Sequence, residues 1–369
     1  MKFLFIAPRL HTNFYYPIKI LLENNHQVDF FVLYKGVSEQ YDLVEPKVLG
    51  YSRFFEWWNK LRNPTGGNLI KTQYELRIGF PPIFSFFSSL LKYKPDVLII
   101  KDITTNYAIL ALIGGFLFRK KMIVFTQIPK HRKQIKSGAV LWLWRLFKTR
   151  AITPVLGNQN FKNDNHNLIY MPFIIPADKS PRKYFTPDGC ITILCVGKFQ
   201  ERKNQFLLLQ AFNQLKKDFP IRLRLIGQKD EVLYFSEIKK YIKENELESK
   251  IQIFNNISWD KMGEFYRNSD VFVLPSFNEA AAYSLLEAMS YGLPVLSSND
   301  NGTQFYIKEG ENGFVFNPFD CTDLTAKLRE VISDKVRLIA MGKRSLELTE
   351  KNHDPDGFYH KLLQLVETK

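Results

Sequence analysis

Residues Val271–Val295 read VFVLPSFNEAAAYSLLEAMSYGLPV. The apolar run Val271–Leu274 is a buried-strand signal closed by Pro275, and the Pro-Ser-Phe-Asn turn leads to Glu279. A helical pattern then covers Ala280–Tyr291, stopped by Gly292 and Pro294 before a second strand opens at Val295. Strand, turn, helix and strand in so short a stretch make a βαβ crossover, the unit of a parallel sheet. Three small residues at the helix start let a ligand approach the first backbone N–H groups, which together with the dipole form a ready phosphate site. On this reading Glu279 and Glu287 sit two helical turns apart, a rise of ~12 Å. Hydrolytic carboxylate pairs work at ~5–9.5 Å, so this pair suits gripping two ends of an extended ligand whose phosphates lie between.

The same alternation runs outward in both directions. Upstream strands are expected at Lys2–Ala7, Val28–Leu33, Asp96–Ile100, Met122–Phe125 and Ile152–Leu156, with helices near Pro17–Asn25, Ile83–Leu91, Thr105–Phe118 and Ala139–Lys148. Residues 34–78 give no clear pattern. The Pro-rich stretch Met171–Gly189 reads as a linker. A second array begins at Ile191 and continues through strands at Ile221–Ile226, Ile251–Phe254, Val271–Leu274, Val295–Ser297 and Gly313–Phe316. The 369 residues therefore divide into a first domain over 1–172, a linker over 173–189, a second domain over 190–355 and a closing helix over 356–369. The expected architecture is α/β, two tandem Rossmann-like doubly wound domains facing across a cleft, with the last helix packing back toward the first domain. Neither opening strand leads into Gly-x-Gly-x-x-Gly, and no Gly-x4-Gly-Lys-Ser/Thr occurs, which argues against a dinucleotide oxidoreductase and a P-loop NTPase.

Charge separates the halves. Of the formal net charge of +14, all the excess lies in residues 1–190; residues 191–369 are almost neutral. Residues 103–163 hold no acidic side chain but carry Arg119, Lys120, Lys121, Lys130, Arg132, Lys133 and more. Arg53–Lys60 and Leu141–Lys148 mix basic residues with Trp and Phe, a combination that favours the headgroup layer of an anionic membrane at ~1 kcal/mol per cation. Two rivals stand beside this reading: aromatics that belong to the core beneath a solvated charged face, and a nucleic-acid surface, for which no RNP, helix-turn-helix or zinc-finger pattern is present. The longest apolar runs, Phe80–Leu91 and Tyr107–Phe118, fall short of the ~20 residues that span a bilayer. Three cysteines (Cys190, Cys195, Cys321) build no disulfide framework, and no secretory leader is read, so the expectation is a cytoplasmic protein, peripheral at the inner face of the membrane.

A second chemical segment is Gly197-Lys198-Phe199-Gln200-Glu201-Arg202-Lys203-Asn204, directly after the strand at Ile191–Val196. A glycine turn at a strand end with two lysines five apart can aim both ammonium groups at one diphosphate. Together with Glu279…Glu287-Ala-Met-Ser-Tyr-Gly-Leu-Pro-Val295 and Asn312-Gly-Phe-Val-Phe316, this segment resembles the motifs of the retaining GT-B glycosyltransferases of the GT4 family. The resemblance covers roughly residues 190–335; the first half shares mainly the layout.

The resemblance implies a hexosyltransferase-type enzyme passing a sugar with retention from a nucleotide-diphosphate sugar, UDP or GDP type, to a hydroxyl of a glycan or lipid-linked glycan. Lys198 and Lys203 would hold the diphosphate at Gly197, helped by the backbone N–H groups of Ala282, Tyr283 and Ser284. Glu279 would contact the transferred sugar and Glu287 the ribose, with Phe254–Asn256 flanking the base. The two lysines and the helix start would replace a metal, so neither metal nor cofactor is expected. The chain departs from the family in three places. Ala280–Ala282 stands where Gly-Phe-Gly is common. Ala7–Asn13 lacks the usual Gly-Gly turn, leaving His11 and Asn13 as acceptor-side candidates. The segment after the fourth strand offers Gln127 or His131 in place of the family's histidine. The alternatives from other classes are a non-catalytic sugar-nucleotide- or membrane-binding protein and, less favoured, a nucleic-acid-binding protein.

Overall fold

The structure, a computed structural model, describes residues 1–36, 39–62, 73–131, 146–147, 149–157 and 168–367. The expected helix at Ala139–Lys148 and the aromatic stretch at Leu141 lie almost wholly outside them. Two compact units divide the chain: Met1–Ile174 with Pro355–Lys369, and Ile175–Asp354.

In the first unit, strands β1 (Lys2–Ile6), β2 (Gln27–Val32), β3 (Lys47–Val48), β4 (Val97–Lys101), β5 (Lys121–Phe125), β6 (Arg150–Thr153) and β7 (Leu168–Tyr170) form one parallel sheet in the order β3-β2-β1-β4-β5-β6-β7. The central strands are buried on both faces, which is why KFLFI and VLIIK read as unbroken apolar runs. Helices α1 (Tyr15–Glu23), α2 (Arg53–Arg62), α3 (Gln73–Ile78), α4 (Ile83–Tyr93) and α5 (Asn106–Leu117) belong to this unit. Four elements escape the sequence patterns, among them the six-residue α3. β3 and β7 are two and three residues long, and α2 leaves most of its apolar side chains exposed, so no core stripe marks it.

The second unit holds six parallel strands, β8 (Ile191–Val196), β9 (Ile221–Gly227), β10 (Ile251–Asn255), β11 (Val271–Leu274), β12 (Val295–Ser298) and β13 (Gly313–Phe316), ordered β10-β9-β8-β11-β12-β13. Helices α6 (Gln205–Leu215), α7 (Val232–Glu244), α8 (Trp259–Arg267), α9 (Tyr283–Ser290), α10 (Cys321–Ile332) and α11 (Lys335–Asn352) accompany them. Asp320 and Asp334 cap α10 and α11 by accepting two backbone N–H bonds each. Helix α9 ends at Gly292, whose φ of +70° lets Leu293 N–H return to the Ala288 carbonyl, the glycine stop that the sequence announces. Both sheets are of the Rossmann type expected. The final helix, α12 (Pro355–Glu367), buries Leu362 and Val366 and belongs to the first unit. There Tyr359 Oη lies 3.0 Å from His26 Nε2, and Lys361 Nζ donates to the Tyr170 carbonyl at 2.8 Å.

One close approach positions the chemistry of the second unit. The loops leaving β8 and β9 run side by side, tied by Gly197 N–H to the Ile226 carbonyl and Phe199 N–H to the Gln228 carbonyl. A Cβ on Gly227 would lie 1.9 Å from the Gly197 carbonyl oxygen, a backbone atom that cannot move alone. Gly227→Ala is therefore expected to lower unfolding free energy by roughly 1–3 kcal/mol, the cost of overpacking, and to displace Lys198. Urea unfolding with an unchanged m-value and a lower midpoint checks this.

Candidate active site

The carboxyl ends of β8, β9, β10, β11 and β12 meet at one edge of the second sheet, and strand order reverses between β8 and β11. Such a reversal opens a crevice where ligands of doubly wound sheets collect. Glu279 sits there, though not on a helix. It forms a β-bridge with Asn301, with its N–H on the Asp300 carbonyl at 3.1 Å and its carbonyl accepting Gly302 N–H at 2.9 Å. Helix α9 begins only at Tyr283, three residues later than its alanines suggest, because Ala280–Ala282 continue as an irregular, partly extended link. The two glutamates therefore do not share one helix: only Glu287 is on α9, and the helical rise expected between them does not apply.

The Glu279 carboxylate is gripped from the other loop. Lys203 Nζ and Arg202 Nη1 both bond its Oε2, the arginine at 3.0 Å. Lys203 and Glu279 are nearly buried, at 14% and 12% side-chain exposure, whereas Arg202 is 43% exposed. This exposure difference makes Lys203 the firmer partner, since a desolvated pair is less screened. Lys198 goes elsewhere: its Nζ lies 3.5 Å from Asp230 Oδ1, so the two lysines expected to converge have separate carboxylate partners. The stem of Lys203 packs over Gly197. Gln205, buried behind the loop, donates to the Gly197 and Lys198 carbonyls at 3.3 and 3.0 Å. Asn204, in the left-handed region at φ 54°, ties the loop to Pro275 and Pro318.

Of the expected backbone donors, Ala282 N–H is already spent on Thr303 Oγ1 at 3.3 Å. Tyr283 and Ser284 supply N–H groups of the first helical turn, which no carbonyl of the same helix reaches. Phe254 and Asn256 lie at the end of β10. The Phe254 ring packs edge-on against Phe265 at 4.8 Å, and Asn256 adopts a left-handed φ of 53°. Glu287 accepts from Tyr266 Oη at 2.8 Å and from the Trp259 side chain, while burial pushes its carboxyl above the usual range. Tyr266 is in turn stacked on Tyr291, centroids 5.3 Å apart. Sequence reasoning missed Arg202, Asp230, Tyr266, Trp259 and Thr303. Arg202 and Glu279 lie 77 residues apart, and no local pattern pairs them.

The acceptor-side candidates occupy the carboxyl edge of the first sheet. His11 and Asn13 follow β1 on a turn anchored by Phe14, which packs against Phe5 and Phe125 at 5.4 and 5.1 Å. Burial, then the charges of Lys101 and Arg9, drive the His11 imidazole well below its ordinary pKa. Gln127 is half-buried after β5. His131 forms an isolated bridge with Gly157, and its buried Nδ1 has no hydrogen-bond partner among the described residues. Cys190 and Cys195 are buried, and all three cysteines are free thiols.

Residues 176–348, nearly the whole of the second unit, match the model of the family described as glycosyl transferases group 1, the likeness that the motifs of this half suggest. The chain is 41% identical over 95 residues to the sulfoquinovosyl transferase SQD2 of Arabidopsis thaliana, covering 25% of this chain and 19% of the relative. It is 23% identical over 197 residues to the lipopolysaccharide core biosynthesis glycosyltransferase LpsE of Rhizobium meliloti, covering 53% and 55%. The chain thus spans about half or less of the length of these curated relatives. Among solved structures, Anabaena HepE in complex with UDP superposes with a TM-score of 0.74 over 99% of both chains at 13% identity. The fold is that of the GT-B glycosyltransferases.

The Glu287 carboxyl carries a sign that can be tested. A carboxyl whose folded pKa is raised above its unfolded value favours folding least when ionised, so its contribution worsens as pH rises through the folded pKa. Gln at this position keeps an acceptor for Tyr266 and carries no charge. Glu287→Gln should melt higher than the parent at pH 7, with the difference shrinking toward pH 4. Paired melting curves across this range check it, and a lower-melting variant at pH 7 would contradict the account.

Proposed function

We propose that the protein is a retaining, metal-independent glycosyltransferase that passes a sugar from a nucleotide-diphosphate donor to a hydroxyl of a glycan or lipid-linked glycan. The observation that carries this reading is the Glu279 carboxylate at a Rossmann-sheet edge, held by Lys203 and Arg202 next to the first turn of α9. Two cations face one carboxylate, leaving positive charge for a diphosphate beside an acceptor group suited to sugar hydroxyls. Lys203, Lys198 and the Tyr283 and Ser284 N–H groups would take the diphosphate oxygens. Glu279, released in part from its cations, would accept from the transferred sugar, and Glu287 from the ribose. In the transfer the bond from the anomeric carbon to the phosphate oxygen breaks, the acceptor hydroxyl bonds the same face, and its proton leaves with the nucleotide diphosphate. Stabilising the charge on that leaving group is the task of the cations. HepE was solved with UDP and with UDP-glucose, which supports a UDP sugar as the first donor to try.

Peripheral attachment to the cytoplasmic face of a membrane belongs to the same proposal. Helix α2 buries Phe55 but presents Phe54, Trp57, Trp58 and Leu61, at i, i+3, i+4 and i+7, between exposed Arg53, Lys60 and Arg62. The rival reading, in which these aromatics form core, fails for this helix. An apolar stripe with basic flanks on a surface helix favours an anionic headgroup layer.

Thermal melting with UDP, GDP, ADP and CMP species in EDTA tests the donor site. One diphosphate at 100 times its dissociation constant should add ~2.7 kcal/mol of stability, and Lys203→Ala should abolish the shift. Silence from every nucleotide, or a shift that EDTA removes, would overturn the donor reading or its metal independence, respectively. Separately, sedimentation with phosphatidylglycerol vesicles should fall sharply with Trp57→Ser/Trp58→Ser and at high salt. Unchanged binding would dismiss α2 as the membrane contact.

A further inference from the structure

The first sheet reverses strand order between β1 and β4, where Ile6 pairs with Ile100, and the loops leaving these two strands diverge. Lys101 ends β4; Arg9 and His11 follow β1. These groups lie within electrostatic reach: Lys101 and Arg9 both act on His11, and Arg9 acts on Lys101. Arg9 is held in place by Glu39, 2.8 Å away, which in turn accepts from Tyr41 Oη at 2.9 Å. The carboxylate beside Lys101 is that of Asp102, which bends through a left-handed φ of 63° and accepts the Ile103 and Thr104 N–H groups at 2.6 and 3.2 Å. Among the described residues the Lys101 ammonium has neither a hydrogen bond nor an ion pair. On the same turn as His11, the buried Oδ1 of Asn13 has no hydrogen-bond partner among the described residues.

A desolvated ammonium without a partner is costly, and such groups gather where a ligand supplies the missing charge. Burial and the Arg9 charge pull Lys101 down to about 7, against a small opposing effect of Asp102. His11 stays neutral near pH 7, able to donate one N–H and accept at the other nitrogen. We propose that Arg9, His11 and Lys101 form an oxyanion subsite at this reversal, and that the acceptor carries a phosphate-class group that the subsite holds. Asn13 Oδ1 is placed on that turn to accept a neighbouring hydroxyl. The assignment to the acceptor rests on the transferase reading above; the anion subsite itself does not.

Sulfate is the probe, because it stays dianionic from pH 6 to 8. Calorimetric titration of the full chain should show two classes of sulfate site, one lost in Lys203→Ala and the other in Lys101→Met. With a Lys101 pKa of about 7, affinity at the second class should fall about tenfold from pH 6 to pH 8. Lys101→Arg should retain sulfate at pH 6 and flatten that dependence, a readout that a merely structural lysine would not produce. Met removes a desolvated charge, so Lys101→Met should melt no lower than the parent at pH 6. If Lys101→Met keeps both classes while Lys203→Ala loses one, the subsite is overturned and the donor reading stands. If only Lys101→Met loses sulfate, the subsite stands and the donor reading fails. Competition by glucose 1-phosphate or by phosphatidylglycerol vesicles then tells a soluble acceptor phosphate from a lipid one; competition by neither overturns the assignment to the acceptor.

Discussion

Six strands running in one direction put every chemistry-bearing loop of the second unit at one edge. Lys198 and Lys203 leave β8, Phe254 and Asn256 close β10, and Glu279 follows β11, so residues scattered over more than eighty positions share one crevice. The arrangement tolerates no side chain where the β8 and β9 loops touch, which is the reason for Gly227. Within the crevice, charge is unbalanced by design: Arg202 and Lys203 converge on a single carboxylate oxygen. Positive charge that is already gathered at the crevice leaves an arriving anion only a change of ion-pair partners to bring about, and charge placed in advance is what electrostatic stabilisation draws on.

Glu287 shows the opposite economy. Its carboxyl is partly stripped of water and supported by Tyr266 and Trp259, at some cost in stability when ionised. Its neighbours are braced from behind. Arg182, from the linker stretch, donates to the Tyr266, Ser269 and Tyr291 carbonyls and so caps the ends of α8 and α9 at once. Because Tyr266 and Tyr291 are also stacked, the hydroxyl that meets Glu287 is held by a packed framework and not by a loop. A carboxyl kept in a costly setting by rigid neighbours is what a trade of stability for function looks like, and it is consistent with the role proposed for Glu287.

The first unit uses its excess charge differently. Much of it is solvated, but α2 sets an aromatic stripe among its cations, and the β1–β4 reversal keeps Lys101 without a hydrogen bond or ion pair among the described residues. Fold position separates these roles. A helix that buries one phenylalanine and exposes two tryptophans faces outward by its own pattern, whereas a lysine at a strand's carboxyl end is carried into a partly desolvated crevice by the sheet.

Much was legible from the chain alone. Buried parallel strands read as short apolar runs because both faces are covered, so eleven of the strands and the two-unit α/β plan follow from local sequence, as does the stop at Gly292. The Gly197–Asn204 and Glu279–Val295 motifs were legible too, since their residue types and spacing are local. Strands β3 and β7 were not, being too short to carry a period, and the start of α9 was misplaced because Ala280–Ala282 have high helix propensity but are held as a link by Asn301 and Thr303. Which cation meets which carboxylate, what supports Glu287 and why Lys101 is stripped of water were decided by tertiary structure alone. Those are pairings across long sequence separations, and their energies come from burial and distance, neither of which a one-dimensional pattern contains.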